Sequence, residues 1–151
     1  MRHHTLLDHQ GHQVSLGREL GRGGEGSVFE VVGASRLVAK LYHAPPTSDK
    51  ASKLAAMVQA RTDNLVSLAA WPTHTLHATR GRQLVGFLMP RVENALDLHK
   101  VYGPRSRLRA LPDKSYKFLI RVAANVARAF HCVHEHGHVV GDQRHLVAFE
   151  G

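Results

Sequence analysis

The segment Gly21–Lys40, GRGGEGSVFEVVGASRLVAK, constrains this chain more than any other stretch. Glycines at 21, 23 and 26 lead into an alternating apolar run, a short turn at Gly33–Ser35, and a second run ending on a lysine. The apolar approach Val14–Leu20 comes immediately before. The pattern predicts strand, tight glycine loop, strand, turn and strand. Glycines allow the main chain to fold closely over a phosphate chain and leave backbone N–H groups to donate to it. On this reading Gly21, Gly23, Gly24 and Gly26 form the cover and Val28 offers an apolar surface to a base. Lys40, carried by a strand, reaches the phosphates as a point charge.

Two other phosphate-binding loops are excluded by the residues C-terminal to the glycines. A dinucleotide-binding loop opens a helix, whereas Ser27-Val-Phe-Glu-Val-Val32 is rich in β-branched and aromatic residues and favours a strand. A P-loop ends in Gly-Lys-Ser/Thr, which is absent here. A plain glycine-rich hairpin remains the alternative to a phosphate cover.

The complete pattern is G-x-G-x-x-G-x-V at Gly21, Gly23, Gly26 and Val28, with Leu37-Val38-Ala39-Lys40 after it. In this combination and spacing the segment resembles the smaller lobe of protein kinases, and the resemblance implies that Ala39, beside Lys40, also contacts the nucleotide. The resemblance implies an α+β fold: a five-stranded antiparallel sheet plus one helix, followed by the first helices of an incomplete larger lobe. The implied organisation is a flexible arm over 1–13, the smaller lobe and hinge over 14–92, and a partial larger lobe over 93–151.

The 151 residues suit one ordinary domain and are few for a complete kinase. There is no long unbroken apolar segment, so no membrane partner is expected. The N-terminus lacks the apolar core of a secretory signal, and one cysteine, Cys132, fits a reducing cytoplasm. The net charge of +8 would attract nucleic acid, anionic surfaces or nucleotide alike.

Along the chain, Pro45-Pro46 marks a loop, and Ser48 or Asp49 can cap a helix over roughly 50–61. A kinase carries a glutamate on this helix that pairs with the strand lysine. No acid occurs between Ser52 and Thr62. Trp71-Pro72 introduces a hairpin over 73–89 with its turn at Arg80-Gly81. In the kinase layout its second strand leads to a hinge at Met89-Pro90-Arg91-Val92, where Met89, Arg91 and Val92 meet the adenine. Pro90 has no N–H, so a neighbour such as Val92 must donate. Phe87 or Leu88 would line the rear of the base pocket.

A short helix is expected over 95–101, then a basic loop over 100–109 carrying Lys100, Arg105, Arg107 and Arg109. That loop is an alternative contact surface for a protein partner. The lack of interleaved aromatics argues against nucleic acid without excluding it. A long amphipathic helix is predicted from Asp113 to about Glu135, with Gly137 as its C-cap. An uncovered apolar side on that helix would favour self-association.

After Gly137 a short strand and a turn bearing Asp142 are expected. In kinases the acid at this place orients the substrate hydroxyl. The Gly141-Asp142 form resembles a bacterial subgroup of kinase-like proteins, some of which carry helix-hairpin-helix segments. Stretches 86–92, 102–108 and 124–130 share that resemblance. Asp142 and Lys40 are the implied catalytic residues. A metal-holding Asn is expected five positions after Asp142, but position 147 is Val, and no Asp-Phe-Gly comes after it. The expectation is therefore ATP binding by a Ser/Thr-kinase-like, truncated chain without turnover, Mg2+ being used only if the chain is active. An active atypical kinase and a non-enzymatic binding module are the alternatives. The histidines at 131, 134, 136, 138 and 145 beside Cys132 lack HExxH or Cys-x-x-Cys spacing, so no metal site is assigned.

Overall fold

A computed structural model describes residues 5–80, 82–93, 95–139 and 147–149, with the backbone alone at Ala95 and 147–149. The chain divides into two compact units, 1–91 and 92–151.

The first unit is a closed antiparallel barrel. Its strands are β1 (Thr5–Asp8), β2 (Gln13–Arg22), β3 (Gly26–Val31), β4 (Leu37–Tyr42), β5 (His74–Ala78) and β6 (Leu84–Pro90). They run in the order β1-β2-β3-β4-β6-β5, and β1 closes the ring by pairing with β5. The expected five strands are thus six, and part of the expected loose arm over 1–13 is a strand. Two partners make it one: Leu6 pairs with Val14 of β2 and Ala78 of β5. Closure satisfies both edges of this four-residue strand, which alone would be too short to persist.

Strand alternation fills the barrel. Leu6, Val14, Leu16, Ala39, Leu76 and Leu88 form its buried core, with Phe29, Val31, Leu37, Leu41 and Val85 packed against them. The β1–β2 turn is built around Asp8, whose carboxylate accepts from Gln10 N at 2.8 Å, His12 N at 2.9 Å and the His12 ring at 3.1 Å. Burial pushes the Asp8 carboxyl up, but the His12 and Gln10 hydrogen bonds outweigh it and hold the group below the usual range.

Helix α1 (Ser48–Gln59) packs on β5 through its buried residues Leu54 and Val58. Its N-cap is Thr47, whose Oγ1 accepts from Lys50 N at 3.3 Å, rather than Ser48 or Asp49. Trp71 Nε1 donates to Met57 O at 2.8 Å, and Arg61 Nη1 donates to Thr73 O, fastening the helix to the strand. A short helix α2 (Asp63–Leu68), capped by Thr62, buries Leu65 completely.

The second unit contains β7 (Ala95–Asp97), α3 (Leu98–Tyr102), α4 (Pro104–Ala110), α5 (Tyr116–Glu135) and β8 (Val147–Phe149), with β7 and β8 antiparallel. The expected helix over 95–101 therefore begins as a strand. The expected basic loop over 100–109 is mostly helical, because Pro104 stands at the first position of α4, where its missing N–H costs no hydrogen bond. Helix α5 starts at Tyr116, three residues after the expected Asp113. Gly137, at φ +77°, comes just after its cap: Gly137 N donates to His134 O and His138 N to Val133 O. No strand is formed over 137–139, and the rest of that expectation lies outside the described residues. Val122 of α5 packs with Val101 and Leu111, while Tyr116 and Ile120 stay exposed. No helix among the described residues is long and apolar enough to cross a membrane.

Candidate nucleotide-binding surface

The glycine loop joins β2 to β3 and lies at the rim of the barrel. Gly21 faces Val28, and Arg22 faces Ser27. The loop closes with Gly23 N donating to Gly26 O at 2.9 Å, so this amide, expected for phosphate, already has a partner. Only one of the four expected glycines is needed by the packing. A Cβ at Gly26 would clash with the carbonyl oxygen of Leu41 on the adjoining strand. At Gly21 and Gly24 a Cβ would meet nothing within 4 Å, and at Gly23 only Gly26 O at 3.8 Å. None of these positions has a positive φ. The fold itself gives no reason for glycine at 21, 23 and 24.

Val28 pairs directly with Lys40, and Lys40 with Phe87. Because Ala39 and Leu41 point into the barrel, the pleat turns Val28, Lys40 and Phe87 together onto its outer surface. The adjacent row on the same surface is Glu30, Val38 and Met89. Lys40 is half-buried and has no carboxylate within ion-pair distance among the described residues. Helix α1 carries no acid beyond Asp49 in its first turn.

The geometry bears on two of the expected contacts. Ala39 is fully buried in the barrel core and cannot meet a ligand on the outer surface. Val38, two residues from Lys40, shares its face instead, although it too is buried, at 4% exposure. Arg91 N is engaged with Arg36 O at 2.8 Å, and its guanidinium lies 3.8 Å from Glu30 Oε1, which also accepts from Arg18 at 3.3 Å. Its amide is not free for a base. Of the two candidates for the rear of the base pocket, Phe87 lies on the Lys40 face and Leu88 inside the barrel. Val92 begins the second unit. Asp142 lies outside the described residues.

Residues that sequence reasoning missed surround the loop. His43 N donates to Glu25 O at 3.0 Å, and His43 Nε2 lies 3.2 Å from Ser27 Oγ and 3.5 Å from Arg22 Nε. Lys50 Nζ donates to Glu25 Oε1 at 3.3 Å and stands 4.5 Å above the Tyr42 ring. Burial and the nearby Glu25 charge push the Tyr42 hydroxyl up. The only sign of them in the sequence is their proximity to the loop and to Lys40. Among the described residues, two depressions on this unit include neither Lys40 nor the glycine loop. One, of about 380 Å³, is lined by His9, Gln59, Arg61 and Thr75; the other, of about 490 Å³, by Gly17, Glu30, Gly33 and Arg91 among others.

Among the described residues no group of three or more His, Cys, Asp or Glu is placed to hold a metal. Of the histidines near the end of the chain, His131 Nε2 lies 3.2 Å from Glu135 Oε1 and His136 Nδ1 lies 2.7 Å from Cys132 O, while His145 lies outside the described residues.

Two curated proteins are similar to the chain. They are named protein kinases. The chain is 45% identical over 138 residues to protein kinase YegI of Escherichia coli O157:H7, covering 91% of this chain and 21% of that protein. It is 46% identical over 132 residues to protein kinase YegI of Escherichia coli strain K12, covering 87% and 20% respectively. The chain thus spans about a fifth of the length of these relatives. No protein-family model matches it. The likeness supports a kinase-like family, and the mixed α+β barrel is compatible with the smaller lobe of such a protein.

Proposed function

We infer that the outer surface of the barrel binds ATP, as the smaller lobe of a Ser/Thr protein-kinase-like protein. One observation carries this reading: glycines at 21, 23 and 24 that the fold does not require stand near a strand lysine with no carboxylate partner among the described residues. A ligand lying against that main chain is a sufficient reason for them, since a side chain there would hold it off. Val28, Val38 and Met89 supply apolar contact to the base, Lys40 supplies positive charge to the phosphates, and the amides at the loop tip complete the cradle.

The reaction of such a protein is phosphoryl transfer to a protein hydroxyl, with Asp142 orienting that hydroxyl. The described residues do not fit a magnesium site, so no step through the metal is derived. These 151 residues alone bind nucleotide without turning it over, because apolar Val147 stands where a metal-holding amide is needed.

A thermal-shift titration with ATP, with and without magnesium, tests this, together with transfer of labelled phosphate to the chain or a generic protein acceptor. The expected result is stabilisation by ATP that is lost in Lys40→Ala, with no transfer. Transfer abolished by Lys40→Ala and Asp142→Asn would establish an active atypical kinase. Absence of any ATP effect would reject the reading and favour a non-enzymatic binding module, for which the exposed arginines of α4 are the first surface to test.

A further inference from the structure

Helix α1 offers Lys40 no carboxylate, yet it reaches the glycine loop by another route. Lys50, in its first turn, donates to Glu25, which sits at the loop tip between Gly24 and Gly26. The 4.5 Å approach of the same ammonium to the Tyr42 ring fixes the lysine side chain beside β4. The base of the loop is held as well. His43 gives its N–H to Glu25 O, and its Nε2 faces Ser27 Oγ and Arg22 Nε. Arg22 Nε can only donate, so Nε2 is assigned as the ring nitrogen with the lone pair, and the Ser27 hydroxyl donates to it.

We propose that Lys50, acting through Glu25, is a positioning residue for the triphosphate, and that this pair links α1 to the phosphate-binding loop. The sense is reversed from a helix acid gripping the strand lysine: here the carboxylate is on the loop and the ammonium on the helix. The inference rests on the ATP reading above. Its physical basis is entropic. A loop with glycines at 21, 23, 24 and 26 has much backbone freedom to lose when it closes on a ligand. Holding it in the competent shape beforehand raises apparent affinity by the fraction already competent. His43 supports the base of the loop, and Lys50 couples its tip to the position of α1.

The test is a double-mutant cycle on the full chain, with Lys50→Met, Glu25→Gln and both together, read by ATP and adenosine titrations and by hydrogen exchange. An exposed ion pair is weak, so Lys50→Met is expected to weaken ATP about two- to fivefold and to leave adenosine unchanged. In the Glu25→Gln background it is expected to add nothing, and amides of 22–27 should exchange faster in Lys50→Met without ligand. Additive losses would show that Lys50 attracts phosphate by its own charge, and would overturn the inference while leaving ATP binding intact. Equal losses for adenosine, or unchanged exchange, would overturn it as well. Failure of the wild-type chain to bind ATP would overturn the ATP reading and this inference together.

Discussion

The glycines separate fold from function in one experiment. Gly26→Ala, Gly21→Ala and Gly24→Ala each add one methyl group, and the structure assigns them opposite consequences. At position 26 the methyl meets the Leu41 carbonyl oxygen, which is backbone held within the β3–β4 ladder, and its Cα partner Tyr42 is equally fixed. Relief requires strand separation, so a cost of roughly 1–3 kcal/mol is expected, as for overpacked sites. For a chain of this length that lowers the melting temperature by about 2–4 °C per kcal/mol. At 21 and 24 the methyl enters open space, and removing glycine restricts the unfolded chain, so stability should hold or rise by about 0.4–1 kcal/mol. ATP affinity should fall in these two by roughly three- to tenfold, equivalent to about 0.7–1.4 kcal/mol, because the main chain can no longer lie against the phosphates. Thermal denaturation without ligand and an ATP titration read the two quantities separately. The reasoning is refuted if Gly21→Ala or Gly24→Ala destabilises the free chain as much as Gly26→Ala, or if both bind ATP as the wild type does.

The barrel and its turn give further tests. Leu6→Ala should cost about 2–5 kcal/mol in urea denaturation, as a large-to-small change in a closed core; a cost below about 1 kcal/mol would mean that β1 does not close the barrel. Ala39→Leu should overpack the core by roughly 1–3 kcal/mol without an effect on ATP beyond stability, whereas Val38→Ala should weaken adenosine binding; an ATP loss confined to Ala39→Leu would restore Ala39 as a contact. Asp8 has a lowered folded pKa, so its contribution is present above its ordinary value near 3.8 and lost as pH falls through the folded value. Asp8→Asn should therefore destabilise by roughly 1–2 kcal/mol at pH 7, with the two stability curves converging as pH falls through the folded value; parallel curves would remove Asp8 from the account. Burial, Arg61, His9 and His12 lower the His74 pKa against the opposing pull of Asp8, so the unfolded chain takes up more protons below about 6.5. Stability should fall between pH 7 and 5, and less so in His74→Asn; equal slopes would refute the assignment.

The features legible in the sequence are those fixed by neighbours a few residues away. The glycine loop, the alternating runs of β3 and β4, and the hairpin of β5 and β6 each carry their own period or turn signal. Strand β1 has none, because Thr5-Leu-Leu-Asp8 becomes a strand only through β2 and a partner some seventy positions further on. The basic segment misleads for a different reason: Gly103-Pro104 signals a loop as well as it signals the start of a helix, and packing of α3 and α4 decides which. The place of Ala39 is within reach of the sequence. Period-two alternation forbids adjacent residues from sharing a face, so Lys40 on the outer surface already requires Ala39 inside and Val38 outside. The ties to the glycine loop are not legible at all, since no motif marks Glu25, His43 or Lys50. They depend on β4 running beside β3 and delivering the chain to α1 within reach of the loop tip. That same path makes the absence of an acid on α1 beyond its first turn intelligible: with Lys50 in that turn, the helix can govern the phosphate-binding main chain directly, without gripping Lys40.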